Sequence, residues 1–256
     1  MSSKPRRKPS REPGRPWGLV LGTVGLLVVL VVVFLVIRWA STPASPKTRP
    51  SAQTVVASIT SIPASELTQV GRGSAAARVT AIQGAPLDGP NGRPEILFVG
   101  AEFCPYCAAE RWPIIIALSR FGRFSGLQLA SSSSTDVYPN TPTFTFRHAT
   151  YASSYVDFVA VEGQEQVPSL SGDQQSLVSR YDPGGSIPFV DFGNRYALVG
   201  ATYDPGVLQG SDWQSIASAL RRPSSDQAQA ILGSANQLTA ALCQLSGGQP
   251  ASACAA

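Results

Sequence analysis

The chain has 256 residues, 43% of them apolar and 14% charged, with a formal net charge of +4, which excludes a disordered polyelectrolyte and allows a buried core. The charge is segregated: residues 1–50 carry nine Lys/Arg against Glu12 alone, whereas residues 51–256 carry eleven Arg, no Lys and fifteen Asp/Glu. The larger part is therefore mildly acidic, and a phosphate-tracking surface is excluded along with nucleic acid as a partner.

Residues 1–16, rich in Pro, Ser, Lys and Arg, have too few apolar groups to offset the entropy of ordering and read as a basic tail. Residues 18–37 are an uncharged run of 20 in which sixteen are Leu, Val, Ile or Phe. At about 1.5 Å per residue such a run covers the roughly 30 Å hydrocarbon core of a bilayer. Trp17 and Trp39 bracket it, and Lys4, Arg6, Arg7, Lys8, Arg11 and Arg15 crowd one flank. The expectation is a transmembrane helix over 17–39, with the tail cytoplasmic and the rest extracytoplasmic. A cleaved secretory signal is the alternative, but its apolar stretch is usually only about 7 to 15 residues. Gly18, Gly22 and Gly25 are ordinary small residues of a membrane helix. Residues 40–64 read as a Pro/Ser-rich linker.

A domain is expected over 65–222, with an insertion at about 131–180, followed by a C-terminal helical extension at 223–256. Glu95 to Gly100 (EILFVG) is a nearly continuous apolar run after a Gly/Pro turn, suited to a strand buried on both faces. Ile114, Ile115, Leu118 and Phe121 predict a helix over 104–120, kinked at Pro113 and ended at Gly122. A strand is expected at 126–130 and a polar loop at 131–142. Strands at 143–146 and 155–161 suggest an inserted hairpin. A short helix is expected at 173–181. The segments 187–192 and 195–199 flank Gly193-Asn194, a pair suited to a hairpin turn. Ser211 with Gln214 suggests a capping box for a helix stopped by Pro223. A last amphipathic helix begins at Asp226, with Ile231, Ala235, Leu238, Leu242 and Leu245 on one face.

The four cysteines are Cys104, Cys107, Cys243 and Cys254. With one histidine in the chain and no second CxxC, structural zinc is not expected. Exported thiols pair readily, so two disulfides are expected, Cys104 with Cys107 and Cys243 with Cys254. The first pair sits where a buried strand gives way to a helix. Orphan backbone N–H groups and the helix dipole favour a Cys104 thiolate there, and Cys107, one turn further in, is placed to resolve a mixed disulfide. The bland reading is an inert local staple, although so short a loop contributes little closure entropy.

The run Phe98 to Cys107 (FVGAEFCPYC) resembles the active-site segment of thioredoxin-superfamily proteins, in which an aromatic residue, here Phe103, precedes CxxC. Over Phe98 to Gly122, Tyr138 to Phe146 and Ile187 to Gly200 the chain resembles the membrane-anchored domain-of-unknown-function 929 family of actinobacteria and archaea, which is thioredoxin-like. That resemblance implies an α/β fold of thioredoxin type, with a sheet flanked by helices, and a cis Ile187-Pro188 bond against the cysteines, with Thr141-Pro142 as the rival. It implies exchange with thiols and disulfides of exported proteins, a membrane redox partner as a further possibility, and no cofactor. Two residues depart from the pattern: Phe98 stands where thioredoxin has a buried Asp, and Tyr106 where strongly oxidising periplasmic enzymes often have His. Cys104 and Cys107 are thus the expected catalytic pair, supported by Pro105, Tyr106, Phe103, Pro188 and Glu102. Glu102 is either a proton relay or a solvated strand end; Trp112 and Tyr106 either shape a groove or pack; His148 reads as an ordinary residue. A non-catalytic binding module of the same fold is the competing class.

Overall fold

The computed structural model describes residues 27–36, 38, 50–75 and 79–255. The chain divides into two compact units, Met1–Arg49 and Pro50–Ala256. In the first, residues 27–36 form helix α1, with every side chain from Leu27 to Val36 exposed. The basic tail, the rest of the apolar run and the linker as far as residue 49 lie outside the described residues. No helix among the described residues is long and apolar enough to cross a membrane.

The second unit is built around β2 (Glu95–Ala101). Strand β7 (Asp157–Gly163) pairs with it in parallel over seven positions, and β8 (Phe189–Phe192) pairs antiparallel on the other side. With β9 (Tyr196–Val199) and β1 (Thr80–Ala81) the sheet order is β1-β9-β8-β2-β7. Ile96 and Phe98 enter the larger core with α4 (Pro105–Leu118) and α7 (Asp226–Leu245), while Leu97 and Val99 meet Leu177 and Val178 of α5 (Gly172–Tyr181) on the opposite face. Both faces of β2 are covered, which is why its sequence is continuously apolar. The architecture is thus mixed α/β, a mixed sheet flanked by helices.

Several boundaries differ from the sequence reading. The linker does not extend to residue 64: α2 (Ala52–Thr60) and α3 (Ala64–Val70) belong to the folded unit, with Val55, Ile59, Leu67 and Val70 buried. The Pro/Ser composition of 40–53 masks a helix capped by the Ser51 hydroxyl, which accepts from the Thr54 N–H at 3.1 Å. The strand expected at 126–130 is β4 (Gln128–Ser131), and a further strand that the sequence did not suggest, β3 (Gly122–Ser125), precedes it across Gly126 at φ 76°. Gly122 therefore opens a strand rather than ending the helix, whose C-cap is Ser119.

The expected hairpin of 143–146 with 155–161 does not form. β5 (Pro142–Thr145) pairs with β4, and β6 (Thr150–Ser153) pairs with β3, while β7 joins the central sheet. Residues 131–180 are accordingly not an insertion, because they contain a strand of the main sheet and the helix that covers it. Alternation in sequence marks a strand but not its partner, and a parallel partner reached by a long crossover leaves no local signal. The β8–β9 hairpin does form, with Gly193 and Asn194 at φ 59° and 54°. The capping box of α6 (Trp213–Ala219) is Asp212 with Ser215, one residue later than Ser211 and Gln214.

Helix α4 runs through Pro113 without a break. Proline cannot donate to the carbonyl of residue 109, and the Tyr203 hydroxyl donates to it instead at 2.7 Å. Residues 223–256 are not an appendage: Ile231, Ala235, Leu238 and Leu242 are in the main core. Gly233 permits a close crossing, since a Cβ there would lie 2.4 Å from the Arg72 carbonyl oxygen. Past α7, the Gln249-Pro250 bond is cis and α8 (Ala251–Cys254) returns to the helix. The Cys243–Cys254 disulfide closes this segment, with Cα atoms 5.6 Å apart and a sequence separation of 11. Replacing both residues by serine is expected to cost about 2–3 kcal/mol of stability through the freed loop. Urea unfolding should show this as a lower midpoint with little change in slope.

Candidate functional site

The site is built at the end of β2. The strand delivers its chain into a short loop, Glu102-Phe103, and α4 begins at Pro105, whose fixed φ and missing N–H suit the first helical position. Cys104 is the N-cap, with φ −74° and ψ 121°, and its Sγ accepts from the Cys107 N–H at 3.3 Å. On the other side the Cys104 thiol donates to the Ile187 carbonyl at 3.7 Å. That carbonyl belongs to the Ile187-Pro188 bond, which is cis; Pro142 instead begins β5, and its carbonyl accepts from Trp112 Nε1 at 2.9 Å.

Cys104 and Cys107 are present as thiols, not as the expected disulfide. Nor is Cys104 at an open helix start: it is 5% exposed and Cys107 is fully buried. Phe103 and Tyr106 beside it are 37% and 40% exposed. The two sulfurs differ electrostatically. Hydrogen bonding by the Cys107 thiol lowers the Cys104 pKa to about 7, helped by the Cys107 and Tyr106 N–H groups and the Arg111 charge, against the opposing cost of burial. Burial pushes Cys107 well above the ordinary thiol value, and its bond to Cys104 adds to this. Ionisation is thus easier at Cys104 than at Cys107.

The supporting residues fall into distinct places. The Tyr106 ring packs edge-on against Tyr138 with centroids 6.0 Å apart, and the Phe103 carbonyl accepts from the Ser133 N–H at 2.8 Å. The polar loop between β4 and β5 therefore forms one rim of the site. Glu102 lies 3.5 Å from Arg147 in a partly exposed ion pair. Phe98 is buried and packs edge-on against Phe146 at 5.2 Å. Trp112 is fully buried, so it packs and does not shape a groove. His148 is exposed beside Arg147.

Three charged residues near the site were not singled out in the sequence. Arg111 and Glu162 form a fully buried ion pair at 2.6 Å. Glu110 is also buried, with Oε2 accepting from the Thr202 N–H at 2.7 Å and hydroxyl at 2.6 Å. The available signal was a Glu-Arg pair inside the otherwise apolar run from Ala108 to Leu118, where a helix buried all round must satisfy both charges internally. Burial raises the Glu110 pKa to about 7, partly offset by its Thr202 bonds. At the opposite end of the sheet, burial also raises Asp191 to about 7, with the Asn194 N–H opposing and Glu95 assisting.

Both carboxyl groups bind protons more tightly folded than unfolded. Their effect on stability is therefore most favourable below the unfolded value near 4, declines as pH rises through about 7, and levels off above it. The Cys104 contribution has the opposite sign but begins only near pH 7. The melting temperature is expected to be higher at pH 5 than at pH 7. Glu110→Gln and Asp191→Asn should each flatten that slope, and a pH-melting series on the three proteins measures it.

Residues 82–180 match the family model described as Domain of unknown function (DUF929). The match supports the DUF929 resemblance read from the sequence. It spans β2, both cysteines, the two small sheets and β7, and ends before Pro188. No curated protein and no solved structure matches the chain.

Proposed function

We propose that the protein is a membrane-anchored, extracytoplasmic thiol–disulfide oxidoreductase of thioredoxin type, acting through Cys104 and Cys107 on exported proteins. The observation that carries this reading is geometric: the Cys104 sulfur caps α4, accepts from the Cys107 N–H at 3.3 Å and lies 3.7 Å from the carbonyl before cis Pro188, with the Cys107 thiol buried beside it. The lowered Cys104 pKa and the raised Cys107 pKa agree with it. The sequence of residues 17–39, with its flanking arginines and lysines, supports the anchor and its orientation.

In the reducing direction the Cys104 thiolate attacks one sulfur of a substrate disulfide. A mixed disulfide forms and the other substrate sulfur leaves as a thiolate that takes up a proton. Cys107 then gives up its proton and attacks Cys104 Sγ, releasing the second substrate thiol and leaving a Cys104–Cys107 disulfide. Two electrons pass to the substrate, and the same steps run backwards when the protein oxidises a dithiol. The exposed aromatic rings of Phe103 and Tyr106 and exposed Val137 in the rim loop suit an apolar peptide segment next to the reacting sulfur.

The test joins reactivity to turnover. Iodoacetamide at pH 7 should label Cys104 and spare Cys107, and the purified protein should oxidise, reduce or isomerise a model disulfide protein. Equal labelling with no turnover in any of the three assays rejects the enzyme and favours a binding module.

A further inference from the structure

Beneath the cysteine pair lies a charge arrangement that the exchange steps above do not use. Arg111 stands four residues after Cys107 on α4, hence on the same helix face, and is fully buried. Its Nε and Nη2 both lie 2.6 Å from Glu162 Oε1, and Nη2 also donates to the Ala101 carbonyl at 2.7 Å. Glu162 pairs with Gly100 in the β2–β7 register. A Cβ placed on Gly100 would lie 3.1 Å from Cys107 Sγ. Guanidinium, carboxylate and second sulfur therefore converge on the last residues of β2. The Phe98 ring fills the remaining side, its centroid 5.6 Å from Arg111 Cζ.

This ion pair is unevenly satisfied. Glu162 Oε2 accepts from two neutral donors, the Thr145 hydroxyl at 2.8 Å and the Phe146 N–H at 2.7 Å. Arg111 Nη1, by contrast, is buried with no hydrogen-bond partner. The carboxylate charge is shared with neutral donors while the guanidinium keeps an unmatched N–H in a low-dielectric setting. Of the other charged groups nearby, Glu102 pairs with Arg147, and Glu110 Oε2 accepts from Thr202 while its Oε1 is buried without a partner. The Arg111 charge acts to lower the Cys107 pKa, against the larger cost of burial.

We propose that Arg111 is a positioning residue for the resolving step, its guanidinium, clamped by Glu162, stabilising the Cys107 thiolate as that sulfur attacks the Cys104–substrate disulfide. The proposal rests on the thiol-exchange reading. In this step the Cys107 S–H is lost, a Cys107–Cys104 bond forms, the Cys104–substrate bond breaks, and the substrate sulfur leaves with the electron pair and takes up a proton.

Two substitutions of opposite sign test it in the full chain. Carbon-13 labelling of cysteine Cβ in a Cys104→Ser background isolates the Cys107 titration. Arg111→Met should raise its midpoint by about one unit, a tenfold smaller thiolate fraction at fixed pH, and Arg111→Lys should recover most of that loss. Glu162→Gln removes the counter-charge and should move the midpoint down. A merely structural role would shift both substitutions in the same direction or shift neither, and either result overturns the proposal. Should Arg111→Met fail to fold, Glu162→Gln carries the test alone, and an unmoved or raised midpoint in that variant overturns the proposal. The titration does not depend on turnover. Opposite shifts in a protein without exchange activity would retire the resolving role with the enzyme reading, whereas unmoved midpoints in an active protein would retire Arg111 alone.

Discussion

Replacing Cys107 by serine is expected to turn the protein into a covalent trap. Cys104 keeps its helix-start hydrogen bond from the residue-107 N–H and its contact with the Ile187 carbonyl, so it can still attack, but nothing follows to release the partner. The serine hydroxyl can still donate to the Cys104 sulfur in place of the Cys107 S–H, whose bond is the largest cause of the lowered Cys104 pKa. Attack should therefore persist at pH 7 while the adducts last longer. Turnover with a model substrate should fall to background in both single variants. Mixed disulfides should accumulate in Cys107→Ser cells, vanish on reduction and be absent from Cys104→Ser cells. Non-reducing gels followed by mass spectrometry read both results, and a Cys107→Ser strain without adducts counts against exchange.

Trp112→Ala is expected to produce the largest loss of stability among single core changes at the site, about 3–5 kcal/mol. The indole is fully buried, packs edge-on against Phe144 with centroids 4.8 Å apart, and donates Nε1 to the Pro142 carbonyl at 2.9 Å. Truncation removes the ring contacts, opens a cavity under α4 and leaves a buried carbonyl unpaired. Trp112→Phe keeps most of the ring and should cost less, since only the carbonyl partner and part of the volume are lost. Equilibrium denaturation of the two variants separates these contributions. Because α4 also carries both cysteines, the alanine variant should lose the differential labelling of Cys104 and Cys107 as well.

Where the sequence reading succeeded, the signal was local. An apolar run bounded by Gly and Pro identified β2, Gly193-Asn194 marked the β8–β9 turn, and the spacing from Ile231 to Leu245 outlined the buried stripe of α7. It failed where the deciding interaction was distant. Nothing near Asp157–Gly163 announces that it lies parallel to a strand some sixty residues earlier. The same holds at the site. The CxxC residues were legible from their immediate neighbours and Pro188 through the family resemblance, whereas Arg111 acquires its meaning from Glu162 and Glu110 from Thr202, each supplied by a remote element. The N-terminal linker erred for another reason: a composition average over 40–64 concealed the helical spacing of Val55 and Ile59.

The recessed Cys104 has a consequence for timing. At 5% exposure, set between protruding Phe103 and Tyr106, the sulfur meets a partner only along a narrow line of approach. A disulfide closed inside a compact client presents no such line, whereas a cysteine on a slack, extended stretch can be offered end-on between the two rings. On the proposed reading, the protein would meet its clients while they are still unspooled, in the interval between emergence from the membrane and closure of their own cores. Its turnover would then depend on how long a newly exported chain remains open, and fast-folding clients would pass it untouched.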